Sequence, residues 1–115
     1  MSQVFDDKEL LERVDSDWDF LAETVEMLAT DGPGLLDAIR QSIASGDAAA
    51  VSRAAHTLKG LVANFCAPDT QASAFELERA GKAGDLSAAP AAVEALHTRF
   101  DALVAALNAF LATRP

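Results

Sequence analysis

Apolar residues near the C-terminus recur at alternating intervals of three and four, and this spacing constrains the fold more than any other feature. The series consists of Val93, Leu96, Phe100, Leu103, Leu107 and Phe110. Such spacing is typical of one helical face packed against neighbouring helices. Composition agrees, because 25 Ala and 14 Leu stand against 7 Val, 2 Ile and no Tyr. These proportions favour helices over strands, so an all-α fold is predicted.

Capping residues, glycines and prolines divide the chain into helices. The predicted helices run from Asp6 to about Val14, Asp17 to Thr30, Pro33 to Ser45, Asp47 to about Cys66, Thr70 to Lys82 with Asp69 as cap and Gly81 and Gly84 at its end, and from about Pro90 onward. The second and third share one apolar face, so they can also form a single helix bent at Gly32-Pro33. We expect a single domain over residues 1–115, an antiparallel four-helix bundle with an additional short N-terminal helix.

Charge and cysteine content exclude several classes of function. The net charge is −9, and residues 1–47 carry all of it, with 12 acids and 3 bases. An acidic chain repels nucleic acids and anionic membranes, so neither is expected as a partner. One cysteine, Cys66, excludes an internal disulfide and has no second cysteine at zinc-ligand spacing. Without a signal peptide or a long apolar run, the chain is expected to be cytoplasmic.

The predicted helix from Asp47 to Cys66 contains the chemistry of the sequence. At about 100° per residue, Val51, Ala55, Leu58, Val62 and Phe65 share one face, which we expect to be buried. His56 falls outside that face, among small residues, with Lys59 and Arg53 on either side. Gly60 lies one turn further on, where glycine costs roughly 1 kcal/mol relative to alanine. Because helical side chains lean towards the N-terminus, a missing Cβ there leaves space beside the imidazole.

Two interpretations of this histidine remain open from the residues alone. His56 can be an ordinary surface residue, with Gly60 present for close helix packing. Alternatively, an exposed imidazole with free space and local positive charge suits a group that carries a phosphoryl dianion.

The motif His56-Thr-Leu-Lys59-Gly60 resembles the His-x-Leu-Lys-Gly signature of histidine-containing phosphotransfer (HPt) domains. The likeness extends over about residues 6–112 and includes Ser45-Gly-Asp47 before the motif and Leu77-Glu78 after it. Two positions depart from the family pattern. Leu61 stands where a small residue is usual, and Cys66 stands where glycine is common.

The resemblance implies a phosphorelay intermediate in two-component signal transduction. His56 would accept a phosphoryl group from a receiver-domain aspartate and pass it to another receiver, assisted by Lys59 and Gly60. Glu78 could accept the imidazole Nδ1–H, although it can equally be a solvated glutamate. The expected partners are receiver domains of a hybrid histidine kinase and of a response regulator, and the Mg²⁺ would belong to the receiver.

Further expectations follow from the family and from the remaining residues. The chain itself should need no cofactor or metal, should show no ATPase or autokinase activity, and should act as a free-standing monomer. The alternative is a helical adaptor that binds a signalling partner without being phosphorylated. His97 is interpreted as a plain surface histidine and Cys66 as a small packed residue. Phe5 and Trp18 are expected to cover the end of the core.

Overall fold

The computed structural model describes residues 4–115, so residues 1–3 of the predicted single domain lie outside it. Five helices account for most of this range: α1 (Asp7–Arg13), α2 (Trp18–Ala44), α3 (Ala48–Ala63), α4 (Pro68–Ala83) and α5 (Ala89–Leu111). Residues 4–115 contain no strand. The predicted all-α class is therefore confirmed.

Helix α2 is continuous through Gly32-Pro33, so the predicted second and third helices form a single helix, which was one of the two alternatives. Pro33 removes a hydrogen bond and crowds the preceding turn, at a cost of about 3 kcal/mol. Burying an aliphatic side chain contributes about 1.5–3 kcal/mol, and both Leu36 and Ile39, beyond the proline, are fully buried. Continuing one apolar face therefore outweighs the proline. Gly32 also makes room for Phe100 of α5, whose ring occupies the space in which a Cβ at position 32 would lie.

Aspartates cap three of the helices: Asp47 is the predicted cap of α3, and Asp6 and Asp17 stand at the predicted starts of α1 and α2. The side chains of Asp6, Asp17 and Asp47 each accept a hydrogen bond from the backbone N–H three residues later, at 3.0–3.1 Å. Asp69 was the wrong choice of cap for α4. That helix begins with Pro68 as its first residue, so Asp69 lies inside the first turn, where its charge favours the positive helix end.

The helices α2 to α5 pack in a closed order: α2 contacts α3 and α5, and α4 contacts α3 and α5. The apolar series of α5 is buried from Val93 to Leu107. At one end of the core, the ring of Phe110 packs against Phe5 at 5.5 Å and against Trp18 at 5.0 Å between ring centroids. These two aromatic residues cover the end of the core as expected.

Glycine 81 sets the close approach of α4 to α3. A Cβ at this position would lie 2.6 Å from the carbonyl oxygen of Ala48 and 2.6 Å from the backbone nitrogen of Ser52. The prediction that Gly81 helps to end α4 is wrong, because it lies inside the helix and only Gly84, at φ +71°, terminates it. Since Glu78 precedes Gly81 by one turn, the same close approach brings Glu78 towards α3.

Helix α3 ends at Ala63, three residues before the predicted end. The chain then turns through Cys66, which has φ +55°. This left-handed conformation is one that glycine adopts without strain. This backbone conformation explains why glycine is common at this position in HPt domains, where this chain has Cys66. The carbonyl of Cys66 accepts a hydrogen bond of 2.9 Å from the backbone N–H of Asp6.

Candidate functional site

The His56 side chain stands on the outer face of α3, with 67% of its surface exposed. The opposite face is buried and consists of Val51, Ala55, Leu58 and Val62. Phe65 is buried as well, but it lies beyond the helix end. The predicted division of this helix into a core face and a histidine face is therefore what the structure shows.

Glu78 of α4 is the buried centre of the site, with 3% of its side chain exposed. Its Oε2 lies 2.7 Å from Nδ1 of His56, and its Oε1 accepts a hydrogen bond of 2.6 Å from Nζ of Lys59. Nζ of Lys82 lies 3.3 Å from Oε2. Between the two interpretations left open for Glu78, the structure excludes a solvated glutamate.

These contacts keep Glu78 ionised. The hydrogen bond from Lys59, followed by those from His56 and Lys82, lowers the pKa of Glu78 from 4.5 to about 2, although burial acts in the opposite direction. An ionised carboxylate has only acceptor oxygens. The atom of His56 that faces it must therefore donate, so Nδ1 carries the proton.

The position of that proton decides what the exposed edge of the imidazole can do. In a neutral imidazole only one nitrogen carries hydrogen, so a protonated Nδ1 leaves Nε2 with a free lone pair. His56 is anchored at Nδ1 and exposed elsewhere, which makes Nε2 the available nucleophilic atom. A buried carboxylate that orients a histidine in this way is a common device of nucleophilic sites.

Gly60 leaves the surface beside the imidazole open. No atom lies within 4 Å of the position that a Cβ at residue 60 would occupy, once its own helix backbone is set aside. The glycine is therefore not required for helix packing, unlike Gly81. Next to it, an open depression is lined by Ser52, Arg53, His56, Thr57, Glu78 and Lys82. The site thus combines a free nucleophilic nitrogen, space and three cationic side chains.

Lys59 lies beside His56 as expected, but it is held by a buried partner. Its side chain is only 24% exposed and its ammonium is paired with Glu78. Two residues of the site were missed at the sequence level. Lys82 could have been found from its spacing of four residues after Glu78, which places both on one helical face. Phe75, whose ring centroid lies 5.0 Å from Nζ of Lys59, gave no comparable signal.

The other candidate residues lie apart from this site. His97 contacts Arg40 through Nδ1 and lies 3.4 Å from Asp101 through Nε2, so it belongs to a separate surface cluster. Cys66 is buried, and burial raises the pKa of its thiol, which agrees with a packed residue. Within residues 4–115, no group of three or more His, Cys, Asp or Glu is arranged to hold a metal ion. No helix in this range is both long and apolar enough to cross a membrane.

Comparison with known proteins supports the assignment of the motif. The sequence model of the family described as Hpt domain matches residues 23–106. Among solved structures, the chain is similar to histidine-containing phosphotransfer protein B (HptB) from Pseudomonas aeruginosa PAO1, with a TM-score of 0.89 at 23% sequence identity and 100% of both chains covered. No curated protein matches. Since the matched residues form most of the chain and include His56 and Glu78, this protein belongs to the histidine-containing phosphotransfer family.

Proposed function

We propose that this protein is a phosphorelay intermediate in which His56 accepts a phosphoryl group from the aspartate of one receiver domain and passes it to another. Family membership supports a phosphotransfer role in two-component signalling. The observation that carries the proposal is the 2.7 Å contact between Nδ1 of His56 and the buried Glu78 carboxylate. This contact leaves Nε2 exposed as the nucleophile.

Transfer begins when the lone pair of Nε2 attacks the phosphorus of an aspartyl phosphate on the receiver. The bond between that phosphorus and the aspartyl oxygen breaks, and the receiver keeps a free carboxylate. The imidazole becomes positively charged as the new N–P bond forms, while its Nδ1–H stays directed at Glu78. Electrostatic attraction to Glu78 stabilises this charge. The second receiver's aspartate reverses the step by attacking the phosphohistidine.

The lysines of the site offset the charge of the arriving phosphoryl group. An ammonium has three N–H donors, so a single bond to Glu78 leaves Lys59 two further donors. Lys82 likewise pairs with Glu78 through one donor and keeps two others, and 69% of its side chain is exposed. Phosphoryl transfer requires positioning and charge stabilisation more than covalent assistance from the protein. Attraction to the phosphoryl oxygens increases when a docked receiver excludes water.

The proposal assigns the remaining requirements to the partners. The receiver domains of a hybrid histidine kinase and of a response regulator supply the aspartates and the Mg²⁺, and this chain needs no cofactor of its own. It works as a carrier without ATPase or autokinase activity, in the cytoplasm. We infer that α2 to α5 form an antiparallel four-helix bundle with α1 as an additional helix. Such a bundle is closed by one chain, so the protein acts as a monomer.

A labelling experiment tests the role of His56. A receiver domain carrying labelled aspartyl phosphate is mixed with the protein in Mg²⁺, and label should move to this chain in an acid-labile, base-stable form. His56→Gln should abolish the label while the helical circular dichroism is retained. His97→Gln is the matched control and should be labelled like the wild type. Label on the His56→Gln protein would contradict the proposal.

The same experiment separates the alternative function. If the protein is a helical adaptor, the wild-type chain itself should bind the receiver domain but take no label. Binding without labelling, against receivers that phosphorylate other HPt proteins, would therefore favour the adaptor.

A further inference from the structure

An exposed aromatic residue lies directly beside the site. Phe75 of α4 retains 44% of its surface in contact with solvent, and its ring centroid is 5.0 Å from Nζ of Lys59. The guanidinium carbon of Arg79 lies 5.8 Å from the same centroid. Both distances fall within the range of about 6 Å in which a cation is attracted to an aromatic ring.

Phe75 and Glu78 approach Lys59 from the same helix. They are three residues apart on α4 and therefore neighbours on its surface. Glu78 binds the ammonium of Lys59 at 2.6 Å, while the ring of Phe75 faces the same ammonium. This double contact accounts for a lysine side chain that is only 24% exposed. A lysine on an open helix surface would otherwise sample many rotamers.

We propose that Phe75 is a positioning residue for phosphoryl transfer, which with Glu78 holds the ammonium of Lys59 beside His56. This role rests on the proposed function of His56. The ring restricts Lys59 to the orientation in which its remaining N–H donors lie next to the imidazole. Phe75 acts through Lys59 and makes no contact with the phosphoryl group itself.

Replacement of the ring separates attraction to the cation from simple apolar contact. Phe75→Leu keeps an apolar side chain but removes the aromatic face, whereas Phe75→Tyr keeps the face. We expect Phe75→Leu to slow transfer to His56 by about three- to tenfold, in line with the modest strength of such contacts. Phe75→Tyr should restore the rate to within about twofold of the wild type.

A double-mutant cycle tests whether Phe75 acts through Lys59. Lys59→Met removes the ammonium and keeps the aliphatic stem. In the Lys59→Met background, Phe75→Leu should change the transfer rate by less than about twofold, because nothing is left for the ring to position. A loss as large as in the wild-type background would show that Phe75 contacts the partner directly, and would overturn the proposal.

A second measurement requires no transfer. In the unphosphorylated protein, the ring should shift the NMR signals of the Lys59 side-chain protons upfield, and Phe75→Leu should abolish that shift while Phe75→Tyr retains it. Unshifted Lys59 signals in the wild type would overturn the proposal even if transfer is normal. If the wild type accepts no phosphoryl group, the proposed function fails and the role of Phe75 in transfer fails with it. If transfer to His56 is intact but the double-mutant cycle shows no coupling between Phe75 and Lys59, only the role of Phe75 is refuted.

Discussion

Replacing Gly60 by glutamine distinguishes helix packing from access to the imidazole. No atom outside the helix backbone lies within 4 Å of a Cβ at residue 60, so a side chain can start there without meeting a neighbour in the isolated protein. Because helical side chains lean towards the N-terminus, a glutamine at this position extends towards His56. The change should therefore leave the folded chain intact and obstruct whatever approaches the histidine.

Gly60→Gln should raise the stability of the fold and lower the rate of phosphoryl transfer. Replacing a mid-helix glycine by glutamine contributes roughly 0.5–1 kcal/mol, which raises the melting temperature by about 2–4 °C for a chain of this length. A side chain that must be accommodated in a docked interface costs about 1–3 kcal/mol. Since 1.4 kcal/mol corresponds to a factor of about ten, transfer to Gly60→Gln should fall by about tenfold or more.

Thermal unfolding followed by circular dichroism measures the first effect, and the rate of labelling from a phosphorylated receiver measures the second. Gly34→Gln is the matched control, because Gly34 also lies in a helix with no atom within 4 Å of its would-be Cβ. It should raise the melting temperature similarly and leave the transfer rate unchanged.

Two results would refute the reasoning. A large fall in melting temperature for Gly60→Gln, with transfer preserved at a permissive temperature, would show that Gly60 serves helix packing. A raised melting temperature with an unchanged transfer rate would show that the partner does not approach over residue 60, even if His56 is phosphorylated.

Three further predictions follow from the packing and from the buried carboxylate. Gly81→Ala should lower stability by about 1–3 kcal/mol, because the new methyl group meets rigid backbone at Ala48 and Ser52; an unchanged midpoint in urea unfolding would contradict this close approach. The pKa of Glu78, lowered from 4.5 to about 2, means that its contribution to stability is present above pH 4.5 and is lost as the pH falls through about 2. Glu78→Gln should be less stable at pH 7 and lose less stability between these pH values, and an identical slope in acid unfolding would argue against the ionised site. Sedimentation equilibrium at micromolar concentration should return about the 12.1 kDa chain mass, whereas a stable dimer would contradict the monomeric bundle.

Much of the fold could be predicted because its determinants are local. The starts of α1, α2 and α3 at aspartates and the buried face of α3 depend on residues within a few positions of one another, and these predictions are correct. Whether the helix continues through Gly32-Pro33 could not be predicted from neighbouring residues, since a glycine followed by a proline favours an interruption. Contacts with α5, formed by Phe100 and the residues beyond Pro33, decide it in favour of a continuous helix. The wrong cap at Asp69 has a different, local cause: Pro68 occupies the first helical position, so α4 starts two residues before the predicted Thr70.

The sequence by itself determines an acidic, all-helical chain and an exposed histidine on a helix face with Lys59 and Gly60 one turn away. Those properties depend on residue type and on the helical period. Only the tertiary structure decides that Glu78, 22 residues after His56, is buried and joins the histidine to two lysines. This arrangement depends on how closely α4 approaches α3, which is set by the absent side chain at Gly81. The backbone atoms that meet there belong to different helices, and no local pattern reports the distance between them.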